Sequence, residues 1–169
     1  DQINASSGNN TVWGDNLNEQ ALPAGGNDKI STLGGADVVY GGGGNDEMNL
    51  GAGDDHGYGG AGNDTIGGED GTDELYGGAG NDVMSGDTGN DLLVGQDGND
   101  TLIGRTGLDV VIGGAGADIV NGGEDNDVVI GRGLTTENST TAGDGNDITN
   151  FNLFSAWVNT QTLGLFIPV

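Results

Sequence analysis

Aspartate stands at every ninth position from Asp28 to Asp127, twelve times without a break: Asp28, Asp37, Asp46, Asp55, Asp64, Asp73, Asp82, Asp91, Asp100, Asp109, Asp118 and Asp127. Two residues after each comes an apolar side chain, from Ile30 and Val39 through to Val120 and Val129, with one lapse at Gly57. Glycines crowd the positions before each Asp, as in GGAGND at 59–64 and again at 77–82. A unit this short offers one apolar side chain and cannot bury it alone, so its core must come from stacking on its neighbours. The same phase run backwards reaches Glu19, Asn10 and Asp1, with Ala21, Val12 and Ile3 in the apolar slot, so residues 1–22 read as degenerate copies of the repeat.

Composition makes the repeat decisive. The chain has 169 residues, 38 of them Gly, 5% aromatic residues and a formal net charge of -24. Glycine adds ordering entropy and no apolar area, so without periodicity such a chain reads as disordered. Three Lys and Arg residues are too few to meet nucleic-acid phosphates. With no Cys there is no disulfide framework and no thiolate zinc site. No apolar run approaches the length of a helical membrane span. A chain that opens on Asp1 rather than Met is expected to be a processed product or a piece of a longer one. Acids placed in phase suggest cations as the partner; acids serving only solubility need no such phase.

The spacing resembles the nonapeptide GGxGxDxUx of the RTX (haemolysin-type calcium-binding) family, where U is a large apolar residue. Four copies, ending at Asp46, Asp64, Asp82 and Asp118, carry the glycine pattern in full. The resemblance covers residues 23–130 and, with worn copies, nearly everything to Asn150. It implies an all-β fold, a parallel β-roll in which six residues turn, three form a strand, and two repeats complete a coil. Residues 131–169 are expected to form a loop, one last copy out of phase (ending at Asp147, a step of 20) and a hydrophobic C-terminal cap.

In such a roll the apolar residues fall into two facing ladders at about 4.8 Å per step. One is expected to run Val12, Ile30, Met48, Ile66, Met84, Leu102, Val120; the other Ile3, Ala21, Val39, Gly57, Leu75, Leu93, Val111, Val129. The aspartates form two columns. Column one holds Asp28, Asp46, Asp64, Asp82, Asp100 and Asp118; column two holds Asp37, Asp55, Asp73, Asp91, Asp109 and Asp127. Two carboxylates about 5 Å apart repel by roughly 3 kcal/mol at an effective dielectric near 20, so the roll calls for cations between its turns. Carboxylate and carbonyl oxygens favour a hard ion, and calcium accepts many oxygens in flexible geometry. The resemblance also implies calcium, about eight to ten ions, one to a gap between stacked turns. The expected ligands are the column aspartates with main-chain oxygens of Gly42, Gly44, Gly60, Gly62, Gly78, Gly80, Gly98, Gly114 and Gly116. Column two is more worn: Glu69, Asp87 and Arg105 replace the second Gly, and Asp125 takes the fourth position, adding a ligand or spoiling a turn. Fuller occupancy is therefore expected in column one.

One outward strand face should carry Tyr40, Tyr58 and Tyr76, then Val94, Ile112 and Ile130. An apolar sheet face marks either a partner's contact surface or a landing place for the chain's own tail. From Ile148 to Val169 no residue is charged, and a cap is its expected role. The family's C-terminal type I secretion signals are matched only loosely by LFIPV. His56, the one His, is expected to be a surface residue, and no enzyme is visible. The functions expected are a calcium-folded extracellular or surface module, self-associating end to end or through the apolar face, or the accessory module of a secreted enzyme or toxin. Ice binding ranks last, because Thr65 and Thr101 alone make no regular threonine row.

Overall fold

The computed structural model describes residues 2–5, 7–14 and 25–131, together with the backbone of strands at 139–141 and 148–149. Among the described residues every regular element is a β-strand, and all pairing is parallel, within two eight-stranded sheets. The first sheet stacks β1 (Gln2–Asn4), β3 (Lys29–Ser31), β5 (Glu47–Asn49), β7 (Thr65–Asp70), β9 (Val83–Thr88), β11 (Thr101–Thr106), β13 (Ile119–Glu124) and β15 (Ser139–Thr141). The second stacks β2 (Thr11–Trp13), β4 (Val38–Gly43), β6 (His56–Ala61), β8 (Glu74–Ala79), β10 (Leu92–Asp97), β12 (Val110–Ala115), β14 (Val128–Ile130) and β16 (Ile148–Thr149). The chain alternates between the sheets at every strand and makes a β-solenoid of about 6 turns. Column one occupies the edge where the chain passes from the second sheet to the first, and column two the opposite edge.

From β3 to β12 each strand pairs with the one 18 residues on, as in Ile30↔Met48 and Val39↔Gly57. That register is what a period of nine and two repeats per coil require. The core lies between the sheets: Ile30, Met48, Ile66, Met84, Leu102 and Val120 face Val39, Leu75, Leu93, Val111 and Val129, each at most 2% exposed. Most strands run six residues rather than the expected three, because pairing continues past the apolar centre into the glycines, as in Gly42↔Gly60.

The first coil departs from the expected ladders. Ile3 pairs with Ile30, and Val12 with Val39, both 27 residues on. Val12 and Ile3 therefore belong to the opposite ladders from those expected. The physical reason is that a step of 27 is an odd number of nine-residue units, which moves each strand to the other sheet; residues 15–24, with Glu19 and Ala21, lie outside the described residues. Gly14 still takes the first place of the turn that ends Gly26-Asn27-Asp28. A Cβ built on Gly14 would lie 2.5 Å from Asp28 Oδ2 and 2.5 Å from the Gly41 carbonyl oxygen, like the regular turns beyond it.

At the other end, β15 and β16 continue the two sheets with a step of 20, in Ile119↔Ser139 and Val128↔Ile148. Part of the stretch expected to be a loop is thus a strand. Asp147 and the apolar tail from Phe151 onward lie outside the described residues.

Candidate metal centres

Each turn has six positions, and alternation fixes what they do. The residue two places after the apolar centre again points inward. In Gly41, Gly59, Gly77 and Gly95 that first position has no side chain, which leaves room for the Asp ending the same turn to fold its carboxyl inside. All twelve column aspartates are buried, at 0–5% exposure.

One carboxyl oxygen is used structurally. Oδ1 of each Asp from Asp46 onward accepts the main-chain N–H of the Asp one coil earlier, from Asp28 N to Asp46 Oδ1 at 2.8 Å through to Asp109 N to Asp127 Oδ1 at 2.9 Å. The fifth position makes a second ladder in the opposite sense. Oδ1 of Asn27, Asn45, Asn63, Asn81 and Asn99 accepts the N–H of the residue 18 later, at 2.7–2.9 Å. The recurrent Asn of GND was a readable signal for this second ladder, which period-nine reasoning about Asp passed over.

The other carboxyl oxygen is the chemically active feature. Oδ2 of Asp37, Asp55, Asp64, Asp73, Asp82, Asp91, Asp100 and Asp109 is buried without a hydrogen-bond donor. An orphaned buried acceptor costs about 1–3 kcal/mol, and more when charged. Over the first Gly of the turn this oxygen meets a main-chain oxygen of the following coil. A Cβ on Gly59 would lie 2.5 Å from Asp64 Oδ2 and 2.6 Å from the Gly77 carbonyl oxygen. The same pair of oxygens converges above Gly41, Gly68, Gly77, Gly95 and Gly104. No three acidic or His side chains converge among the described residues, so an ion held here must draw on main-chain oxygens. A carboxylate and a carbonyl converging without a donor between them fit a hard cation such as calcium.

The glycines expected to lend main-chain oxygens stand at two other positions of the turn. Gly42, Gly60, Gly78 and Gly114 at the second position and Gly44, Gly62, Gly80, Gly98 and Gly116 at the fourth have positive φ. From Gly44 onward each sits over a carbonyl of the coil before, so that a Cβ on Gly62 would run into the Gly44 carbonyl. The first-position glycines add further carbonyls beside Oδ2, those of Gly59, Gly77, Gly86, Gly95, Gly113 and Gly122. Substitutions at the second and fourth positions of column two leave the turn intact. Glu69, Asp87, Arg105 and Asp125 all keep the left-handed backbone of the glycines they replace, at φ 80, 73, 89 and 76°. Arg105 Nε reaches Asp87 Oδ1 at 2.5 Å one coil back. Asp125 therefore does not spoil its turn.

Burial governs the carboxyl acidities. It pushes Asp55, Asp64 and Asp100 up to about 6, and Asp73 and Asp109 up to about 7; the N–H bond from the preceding coil offsets part of this, and neighbouring carboxylates add to it. Asp82, Asp91 and Asp118 rise for the same first cause.

The apolar face lies on the second sheet as expected. Tyr40, Tyr58 and Tyr76 stack at ring-centroid spacings of 4.9 and 5.2 Å, and Trp13 extends the stack at 5.9 Å. Trp13 joins because of the 27-residue step, which no count by 18 could reveal. Val94, Ile112 and Ile130 continue the row, half-buried by one another. His56 lies on this outer face with Nε2 3.6 Å from Glu74 Oε2.

Comparison with known proteins gives one family. The RTX calcium-binding nonapeptide repeat matches in four copies, over residues 1–16, 24–56, 58–93 and 94–129. No curated protein and no solved structure matches the chain.

Proposed function

The chain belongs to the RTX calcium-binding nonapeptide repeat family, and from that premise we propose that it is an extracellular structural module whose roll forms when calcium enters the gaps between its turns. The observation carrying this reading is the file of buried Oδ2 atoms without donors along both edges. Folded without cations, the chain would hold these carboxylates dry and close to one another, a costly arrangement. Calcium bridging an Asp and a main-chain oxygen of the next coil joins the coils and offsets the charge of -24. Calcium supplies cross-linking, while the chain supplies the apolar ladders, the Asp and Asn clamps and the left-handed turns. Cells keep calcium low inside and high outside, so the module stays unfolded until export. The module does no catalysis of its own.

Titration of the chelator-stripped chain with calcium, followed by far-UV circular dichroism and light scattering together, tests this. The expected result is a calcium-dependent gain of β signal, saturating where extracellular sites bind, around 10⁻⁴–10⁻³ M. Scattering that rises with the β signal supports assembly through the Tyr40–Ile130 face. Full β signal in chelator, unchanged by calcium, overturns the reading.

A further inference from the structure

Two turns of column two have no bare first position. Thr32 and Leu50 stand where the regular turns have glycine, and both are buried, at 1% and 0% exposure. By alternation each follows a core residue by two places, Ile30 and Met48, and points the same way. Thr32 Oγ1 donates to the Leu50 carbonyl oxygen. That carbonyl is the counterpart of the Gly77 oxygen facing Asp64, so a hydroxyl holds the main-chain oxygen a cation would take. Leu50 serves the core. A Cβ built on Gly57, the one lapse in the apolar ladder, would meet Leu50 Cδ1 at 2.9 Å, Leu75 Cδ2 at 3.2 Å and Ile66 Cγ2 at 3.4 Å. Leu50 thus fills from the turn the space that Gly57 leaves in the strand. Strands β3 and β5 stop after three residues here, while β7 to β13 run six, so the backbone also departs from the regular path.

We propose that the two column-two gaps flanking Asp55, from Asp37 to Asp55 and from Asp55 to Asp73, take no calcium, and that the Thr32 hydroxyl and the Leu50 side chain join those coils in its place. Of ten gaps, five in each column, eight remain as calcium sites. The inference rests on the calcium reading of the other turns.

Calcium stoichiometry of the full chain, read by native mass spectrometry at saturating calcium, tests it. Asp64→Asn, in a regular column-one turn, is expected to lose at least one ion, whereas Asp55→Asn keeps the wild-type number. The exchange Leu50→Gly with Gly57→Leu returns the apolar side chain to the strand and bares the turn, and should bind one ion more than wild type. Loss from Asp55→Asn equal to that from Asp64→Asn overturns the inference, as does an exchange variant that folds without gaining an ion. A wild-type chain that takes up no calcium overturns the calcium reading itself.

Discussion

At the scale of the residue, each turn depends on one missing atom. Gly59 has an ordinary backbone angle, so its side chain is excluded by Asp64 Oδ2 and the Gly77 oxygen alone. Gly59→Ala should therefore remove metal from that gap and destabilise the calcium-loaded roll by about 2 kcal/mol or more, as overpacking and a blocked site combine. Gly67 is the control: a Cβ there would meet nothing closer than Glu69 Oε1 at 3.9 Å. Gly67→Ala is expected to stabilise slightly, by about 0.4–1 kcal/mol, through the unfolded chain. Thermal unfolding in saturating calcium checks both. The aspartates were legible in the sequence because a strict period needs no knowledge of shape. The first-position glycines were not singled out, since their role appears only when alternation is followed from strand into turn. Leu50 was missed for the same reason: its spacing from Met48, not the phase of Asp, marks it as core.

At the scale of the element, a period of nine says that a strand recurs but not which sheet receives it. Steps of 18 and 27 both preserve the phase, and the first coil uses 27. Ile3 and Val12 consequently change ladders, and Trp13 gains Tyr40 as its stacking neighbour. Deleting residues 15–23 would join Gly14 to Ala24 and spell GAGGND, a six-residue turn ending at Asp28. The shortened chain should fold with calcium to the same β signal and with an unchanged or lower calcium midpoint, because closing a shorter connection costs less entropy. Loss of the β signal in circular dichroism would show that the nine residues are needed for the coil. The step of 20 at β15 and β16 was readable from Asp127 and Asp147, but the same count could not say that Ser139–Thr141 would pair. A sequence with few apolar residues carries little strand signal by pattern alone.

At the scale of the whole molecule, charge and burial oppose each other. The raised carboxyls bind protons more tightly in the metal-free roll than in the unfolded chain, whose value is about 3.8. Stability from this source is fully present below about 3.8 and is lost as pH rises through the folded values of about 6 to 7. In chelator the chain should thus gain β structure on acidification from pH 8 to pH 4 and lose it on return. With calcium the order reverses: protons compete for the same oxygens, so the calcium midpoint should rise as pH falls from 7.5 to 5.5. Circular dichroism in both series checks the pair of trends. The parallel roll was legible through the family resemblance that the repeat carries, and the two acid columns and the tyrosine row follow once two repeats make a coil. The metal-poor end of column two was not, because it depends on a hydroxyl and an isobutyl group occupying space.

The two side-chain ladders run in opposite senses along the same edges, Asp reaching one coil back and Asn accepting from one coil ahead. Among the described residues, the central coils are therefore latched to both neighbours along the long axis. Tension applied end to end would load these latches one coil at a time rather than all together. Each coil that yields frees 18 residues, about 60 Å of slack at roughly 3.4 Å per residue, against about 4.8 Å lost from the stack. Such a rod should therefore lengthen under load in equal steps, one coil at a time.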